Sequence, residues 1–219
     1  MNPTTIRAKI WGDYCCFSRP EFKVERVSYP MITPSAARGV LEAIYWKPEF
    51  RYQIRRIGVL KLGSQTAILR NELDRRQGSS PFFIEDARQQ RSSLILKDVK
   101  YILEANIIPL PHAYKSENTT NPLEKYKSCF ERRLKNGQCF QTPYLGTREF
   151  AAYFAPVEEN DVPNPELNQD LGLMLLDIAF VESKRGELDF KRPGREKPVS
   201  GHAQAMFFEA KLKEGWLEV

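Results

Sequence analysis

The order of elements predicts an α+β protein. Three observations carry this: a basic strand with alternating apolar residues opens the chain, two capped amphipathic helices are separated by two long strand-like segments, and a proline-, asparagine- and acid-rich stretch sets off a strand-rich tail. The first part reads β-α-β-β-α-β, the order of the ferredoxin-like (RRM-like) fold, and the tail reads as a small antiparallel β-sheet domain. Residues 1–156 form the first domain, 157–169 a linker and 170–219 the second domain.

Each element has its own signal. In residues 5–11, Ile6, Ala8 and Ile10 share one face, and Arg7, Lys9 and Trp11 the other. That outer face is basic with an aromatic, which suits either solvent or RNA. Thr33-Pro34 opens the first helix as cap and first helical residue. Ala37, Val40, Leu41 and Ile44 form its apolar stripe, and Lys47-Pro48 ends it. Tyr45 then falls on the last turn beside the stripe, with Arg38 on the same face. Residues 49–60 read as a second strand. Residues 61–92 read as a long polar excursion containing Arg70, Arg75, Arg76, Arg88 and Arg91. A long strand follows over 94–108, where Val99, Tyr101, Leu103, Ala105 and Ile107 alternate with polar residues.

Asn121-Pro122-Leu123-Glu124 starts the second helix, and Asn136-Gly137 stops it. Leu123, Tyr126, Phe130 and Leu134 make its apolar stripe, while Lys125, Arg132 and Arg133 line another face suited to phosphate. A strand is expected over 148–155. In the tail, 171–180 and 188–192 read as strands, 191–197 as a basic loop, and 205–219 as a hairpin turning at Glu214-Gly215.

Composition narrows the function classes. The chain has 219 residues, 42% hydrophobic and 28% charged, as an ordinary globular protein has. No run of about 18 apolar residues is present to span a membrane. The first residues show no apolar core behind a basic start, so a cytoplasmic protein is expected. Cys15, Cys16, Cys129 and Cys139 form no C-x-x-C pair and are expected as reduced thiols. With only two histidines, His112 and His202, neither a metal site nor a cofactor is expected. Lys plus Arg exceed Asp plus Glu by 33 to 28, a mild net charge of +5, so any nucleic-acid argument must come from local clustering.

An ordered set of segments carries a resemblance. They are Trp11-Gly12-Asp13-Tyr14, Lys23-Val24-Glu25-Arg26-Val27-Ser28-Tyr29, Pro34-Ser35-Ala36-Ala37-Arg38-Gly39 and Ile44-Tyr45-Trp46-Lys47-Pro48. Arg70-Asn71-Glu72, Gly137-Gln138, Tyr144-Leu145-Gly146 and Arg148-Glu149-Phe150 complete it. Over nearly its whole length the chain resembles the fifth CRISPR-associated (Cas) protein family, in the form belonging to subtype I-C (Dvulg) systems, within the RAMP superfamily. The resemblance implies a ferredoxin-like N-terminal domain and a small C-terminal sheet. It implies an endoribonuclease that cuts the repeat hairpin of pre-crRNA without a metal or cofactor. The protein would then stay on the crRNA 5′ handle, beside the backbone and large subunits of the Cascade complex.

The family's proposed site is a Tyr at the end of the first helix and a Lys-His pair at the start of the second. These positions match Tyr45 and Lys125, but the histidine position is Tyr126, a departure. Tyr126 has both a catalytic reading and a core reading, the latter from its helical stripe. His112, a loop away from Lys125, could replace the missing histidine. Arg38, Lys47, Arg70, Arg132, Arg133 and Arg148 are the candidate RNA contacts. Two other readings stand beside catalysis: a handle-binding subunit that does not cut, and a generic RNA-recognition module. Non-specific duplex-DNA binding would follow from any basic surface.

Overall fold

The computed structural model describes residues 4–22, 24–110, 122–190 and 197–219. Lys23, the loop carrying His112, the cap residue Asn121 and most of the basic loop expected at 191–197 lie outside the described residues.

Alternation in β1 (Thr5–Cys15) places Ile6, Ala8 and Ile10 in the core. Its other face is neither open to solvent nor free for RNA. Lys9 reaches Asp161 at 2.8 Å and Glu158 at 3.7 Å, Arg7 meets Glu104 at 3.7 Å, and Trp11 stacks on Tyr153 at 5.8 Å. The segment expected as a linker thus covers the basic side of the first strand. Burial pushes the Asp161 carboxyl up, but the Lys9 hydrogen bond and charge outweigh it and hold the group below its usual range.

After the two-residue β2 (Arg26–Val27), α1 (Pro34–Ile44) begins where the sequence predicts. Thr33 caps it, accepting a hydrogen bond from Ala36 N at 3.2 Å, and Ala37, Val40, Leu41 and Ile44 are buried. β3 (Phe50–Lys61) follows. The excursion over 61–92 is a correction to the loop reading. It is β4 (Ser64–Leu73) paired in antiparallel register with the first half of β5 (Arg88–Pro109), closed by a short 3-10 turn at Ile84–Ala87. β4 alternates between half-buried and exposed residues, without a fully buried face, so its sequence lacks a core strand's apolar alternation.

α2 (Pro122–Lys135) buries Tyr126, Phe130 and Leu134. The strand expected over 148–155 shrinks to β6 (Tyr153–Ala155), because residues up to Phe150 form a turn tied by Leu145 N to Phe150 O at 2.8 Å. Next come β7 (Gln169–Glu182), β8 (Leu188–Phe190), β9 (Val199–Lys213) and β10 (Trp216–Glu218), with Glu214 and Gly215 at positive φ in the last turn.

Among the described residues one sheet runs β6-β1-β5-β3-β10-β9-β7, antiparallel at every step; β2 and β4 add to β5, and β8 to β9. The strands expected as a separate C-terminal sheet are therefore hydrogen-bonded to the N-terminal ones through β10, where Leu217 faces Ile57. The two helices share one core with the inward residues of β1, β3 and β5. The fold is α+β, with two helices on a mostly antiparallel sheet.

One approach is close enough to test. Gly146 has φ +84°, and a Cβ there would lie 1.9 Å from the Cys16 carbonyl oxygen. Gly146→Ala should lower unfolding stability by on the order of 3 kcal/mol. Urea denaturation would read it, and an unchanged midpoint would contradict this packing.

Candidate active site and nucleic-acid interface

The site is built around the end of α1. A helix leaves its last carbonyls without internal partners. Here Phe140 N donates to Ala43 O at 2.8 Å and to Ile44 O at 3.1 Å, and Gln141 N donates to Ala43 O at 3.0 Å. Arg133 of α2 adds Nη1 to Ile44 O at 3.1 Å, a cation at the negative end of the helix.

Tyr45 is not on the last turn, as the sequence suggests, but is the cap residue with extended backbone (φ −149°, ψ 117°). That change of backbone accompanies a side chain that is 5% exposed. The Arg133 guanidinium lies 5.1 Å from the Tyr45 ring centroid, Phe50 packs at 5.5 Å, and Cys129 of α2 is close enough to act on the Tyr45 phenol. Burial pushes the Tyr45 phenol well above the usual tyrosine range, with Cys129 and Tyr126 adding to this and Arg133 opposing it. Tyr52 donates to Tyr45 O at 2.8 Å, and burial raises its phenol too.

Lys125, Cys129 and Arg133 fall on one i, i+4, i+8 row of α2. Two of the three meet Tyr45, and Lys125 stands one turn further along, about 6 Å from Cys129 between Cβ atoms. The helix thus brings Tyr45 and Lys125 to one neighbourhood. Tyr126 is buried, its ring 4.8 Å from Phe50. The core reading describes its packing. Sequence reasoning missed Cys129 and Phe50. The helical row through Lys125 pointed to the first, and nothing local pointed to the second.

The candidate RNA contacts divide into two groups. Arg38 is paired with Asp177 of β7, with Nη2 at 2.9 Å from Oδ1, and with Glu42 at 3.6 Å. It fastens α1 to the C-terminal strands rather than facing Tyr45. Arg70 meets Glu149 at 2.6 Å and Glu72 at 3.8 Å; Arg26 joins both carboxylates, and Arg91 reaches Glu72 at 3.8 Å. Arg133 is committed to Ile44 and Tyr45. By contrast Lys47, Arg132 and Arg148 are exposed, as is Lys125, and among the described residues none has a carboxylate partner. Among the described residues no group of three or more His, Cys, Asp and Glu could hold a metal ion, and no helix is long and apolar enough to cross a membrane.

The family model Cas_Cas5d, described as CRISPR-associated protein (Cas_Cas5), matches residues 5–219. A CRISPR pre-crRNA endoribonuclease Cas5d of Thermus thermophilus is 63% identical over 215 residues, covering 98% of this chain and 90% of the relative. One of the same description from Mannheimia succiniciproducens is 43% identical over 234 residues, covering 98% and 94%. In fold, the chain superposes on the crystal structure of a CRISPR-associated protein with TM-score 0.66 at 21% identity, covering 98% of this chain and 91% of the other.

The buried phenols give a pH dependence with a definite sign. In the unfolded chain tyrosine ionises near pH 10. The folded chain keeps the Tyr45 and Tyr52 protons to higher pH. Above about pH 10 the folded state therefore binds more protons than the unfolded state, and stability that is complete below this pH falls as pH rises. Melting temperature should decline through this alkaline range, and Tyr45→Phe should decline less steeply. Equal slopes would mean that Tyr45 is not held protonated by its surroundings.

Proposed function

The chain belongs to the Cas5d family of CRISPR-associated proteins, and from that premise we propose that it is the endoribonuclease that cuts the repeat hairpin of pre-crRNA. The observation that carries this is the 63% identity, over 98% of the chain, to a pre-crRNA endoribonuclease. In this reading the chain works in a subtype I-C system and stays on the crRNA 5′ handle within the Cascade complex. The β6-β1-β5-β3 order, with two helices on one core, supports a ferredoxin-like N-terminal unit.

The cut proceeds without a metal. The 2′-oxygen next to the scissile phosphate attacks phosphorus as the 5′-oxygen leaves, giving a 2′,3′-cyclic phosphate and a 5′-hydroxyl. The 2′-hydroxyl proton goes to a base, and the leaving oxygen takes a proton from an acid. The Tyr45 phenol is protonated at neutral pH and burial raises it further, so it suits hydrogen-bond donation rather than proton removal. Its hydroxyl orients the reacting oxygens. Lys125, exposed and without a carboxylate partner among the described residues, stabilises the charged phosphorane. Tyr126, packed on Phe50, holds the neighbourhood of Tyr45 and is a positioning residue. Lys47, Arg132 and Arg148 supply phosphate contacts outside this centre. A second reading is favoured by one observation: Tyr126 is buried where the family pattern has a histidine. In that reading the protein holds the handle and does not cut.

Repeat RNA incubated with the protein in excess EDTA should be cut once, and a 2′-deoxy substitution at the mapped site should abolish the cut. Lys125→Ala should slow single-turnover cleavage by roughly 10²-fold or more. Cleavage at the wild-type rate would remove Lys125 from the mechanism. Tight binding with no cut by the wild-type protein would leave the handle-binding reading.

A further inference from the structure

We propose that Trp46 and Phe140 form a stacking subsite for a nucleobase of single-stranded RNA next to the scissile phosphate. This rests on the reading of the chain as a repeat-RNA endoribonuclease and adds a residue pair to it. Both side chains are largely open, Trp46 at 45% and Phe140 at 63% exposure, while their neighbour Tyr45 is buried. Single exposed apolar residues are common on protein surfaces, but these two lie against each other, with ring centroids 6.3 Å apart and planes at 39°.

The pair is built into the backbone. Trp46 directly follows the cap of α1, and Phe140 N is bonded to Ala43 O and Ile44 O of the same helix end. Phe140 therefore steadies the indole while leaving much of its surface uncovered. An ordered, open aromatic ring at low conformational cost is what base stacking requires.

Position and charge select RNA as the occupant. Arg133 touches Ile44 beside the pair and lies eight residues from Lys125, about 12 Å along the helix axis. A base on Trp46 would thus sit a nucleotide or two from the phosphate at Lys125. Lys47, Arg132 and Lys135 are exposed near this end of α2 and the end of α1, with no carboxylate partner among the described residues. Unpaired cations around aromatic rings match a chain of phosphates and bases better than an apolar protein surface.

The test uses the full chain and its repeat RNA carrying 2′-deoxy at the cut, so that binding is read without cleavage. 2-Aminopurine is placed in turn at each nucleotide flanking the cut. Wild-type protein should quench fluorescence at one or two adjacent positions. Trp46→Ala should abolish that quench and weaken binding roughly 5- to 100-fold. Phe140→Leu keeps apolar bulk and should reduce the quench, and Trp46→Phe should restore most of it. If Trp46→Ala and Phe140→Leu bind and quench as wild type does, the subsite is refuted and the pair serves another surface, while the endoribonuclease reading stands. If wild-type protein fails to bind the repeat RNA, both readings fall together.

Discussion

The carbonyl end of α1 is the constraint on which the candidate site depends. A helix that stops under a core cannot leave those oxygens unpaired, because a buried, unmatched carbonyl costs about as much as a lost hydrogen bond. In this chain the partners come from far along the sequence: backbone from Phe140 and Gln141, and a side chain from Arg133. Satisfying them fixes the far end of α2 against the end of α1. With that in place, Tyr45 has an arginine over its ring, and Trp46 has Phe140 for a neighbour. The geometry of the site is a consequence of finishing a helix.

The same constraint sorts the basic residues. Arg133, with a planar fork able to bond a carbonyl and cover an aromatic ring together, is consumed in the scaffold. Arg38 and Arg70 are consumed elsewhere, each by carboxylates that join distant segments. Arg70-Asn71-Glu72 and Arg148-Glu149-Phe150, two of the motifs that carry the family resemblance, meet through the Arg70–Glu149 pair. These motifs are accounted for by a tie between the β4–β5 hairpin and the turn after Gly146. Exposed ion pairs of this kind contribute little stability one by one. Their effect is to fix position, which leaves Lys125, Lys47 and Arg132 as exposed cations without a carboxylate partner among the described residues.

What could be read from the sequence follows the range of the forces involved. The start and the buried face of α1 were legible because its cap, its first proline and its stripe are local signals, and the structure repeats each of them; its end was not, since Tyr45 already leaves the helix before Lys47-Pro48. β1, β3 and the second half of β5 were legible because burial imposes a period of two. β4 was not, since it has no fully buried face and is a strand only by virtue of β5 beside it. β6 was overextended because it pairs over only three residues of an edge. The link through β10 was invisible because nothing in Trp216–Glu218 names β3 as its neighbour. At the site, Tyr45 and Lys125 came from the resemblance. The burial of Tyr45 depends on the extended backbone at the cap and on residues nearly ninety positions away.

The departure at Tyr126 can be weighed in these terms. A histidine can take and give a proton near neutral pH, whereas tyrosine ordinarily stays protonated until about pH 10. Tyr126 is also packed into the core on Phe50, and the neighbouring Tyr45 is driven by burial toward its neutral form. A neutral phenol such as that of Tyr45 can donate a hydrogen bond to a charged phosphorane or a leaving oxygen, but it is not suited to remove the 2′-hydroxyl proton. Cleavage by this chain therefore places its chief demand on charge stabilisation and alignment, which Lys125 and a stacked, oriented RNA strand would supply. Proton removal would fall to water or to a group outside this cluster. A site of that kind would gain rate mainly by holding the RNA in line for attack, and its demand would fall on the surroundings of Tyr45 as much as on the hydroxyl.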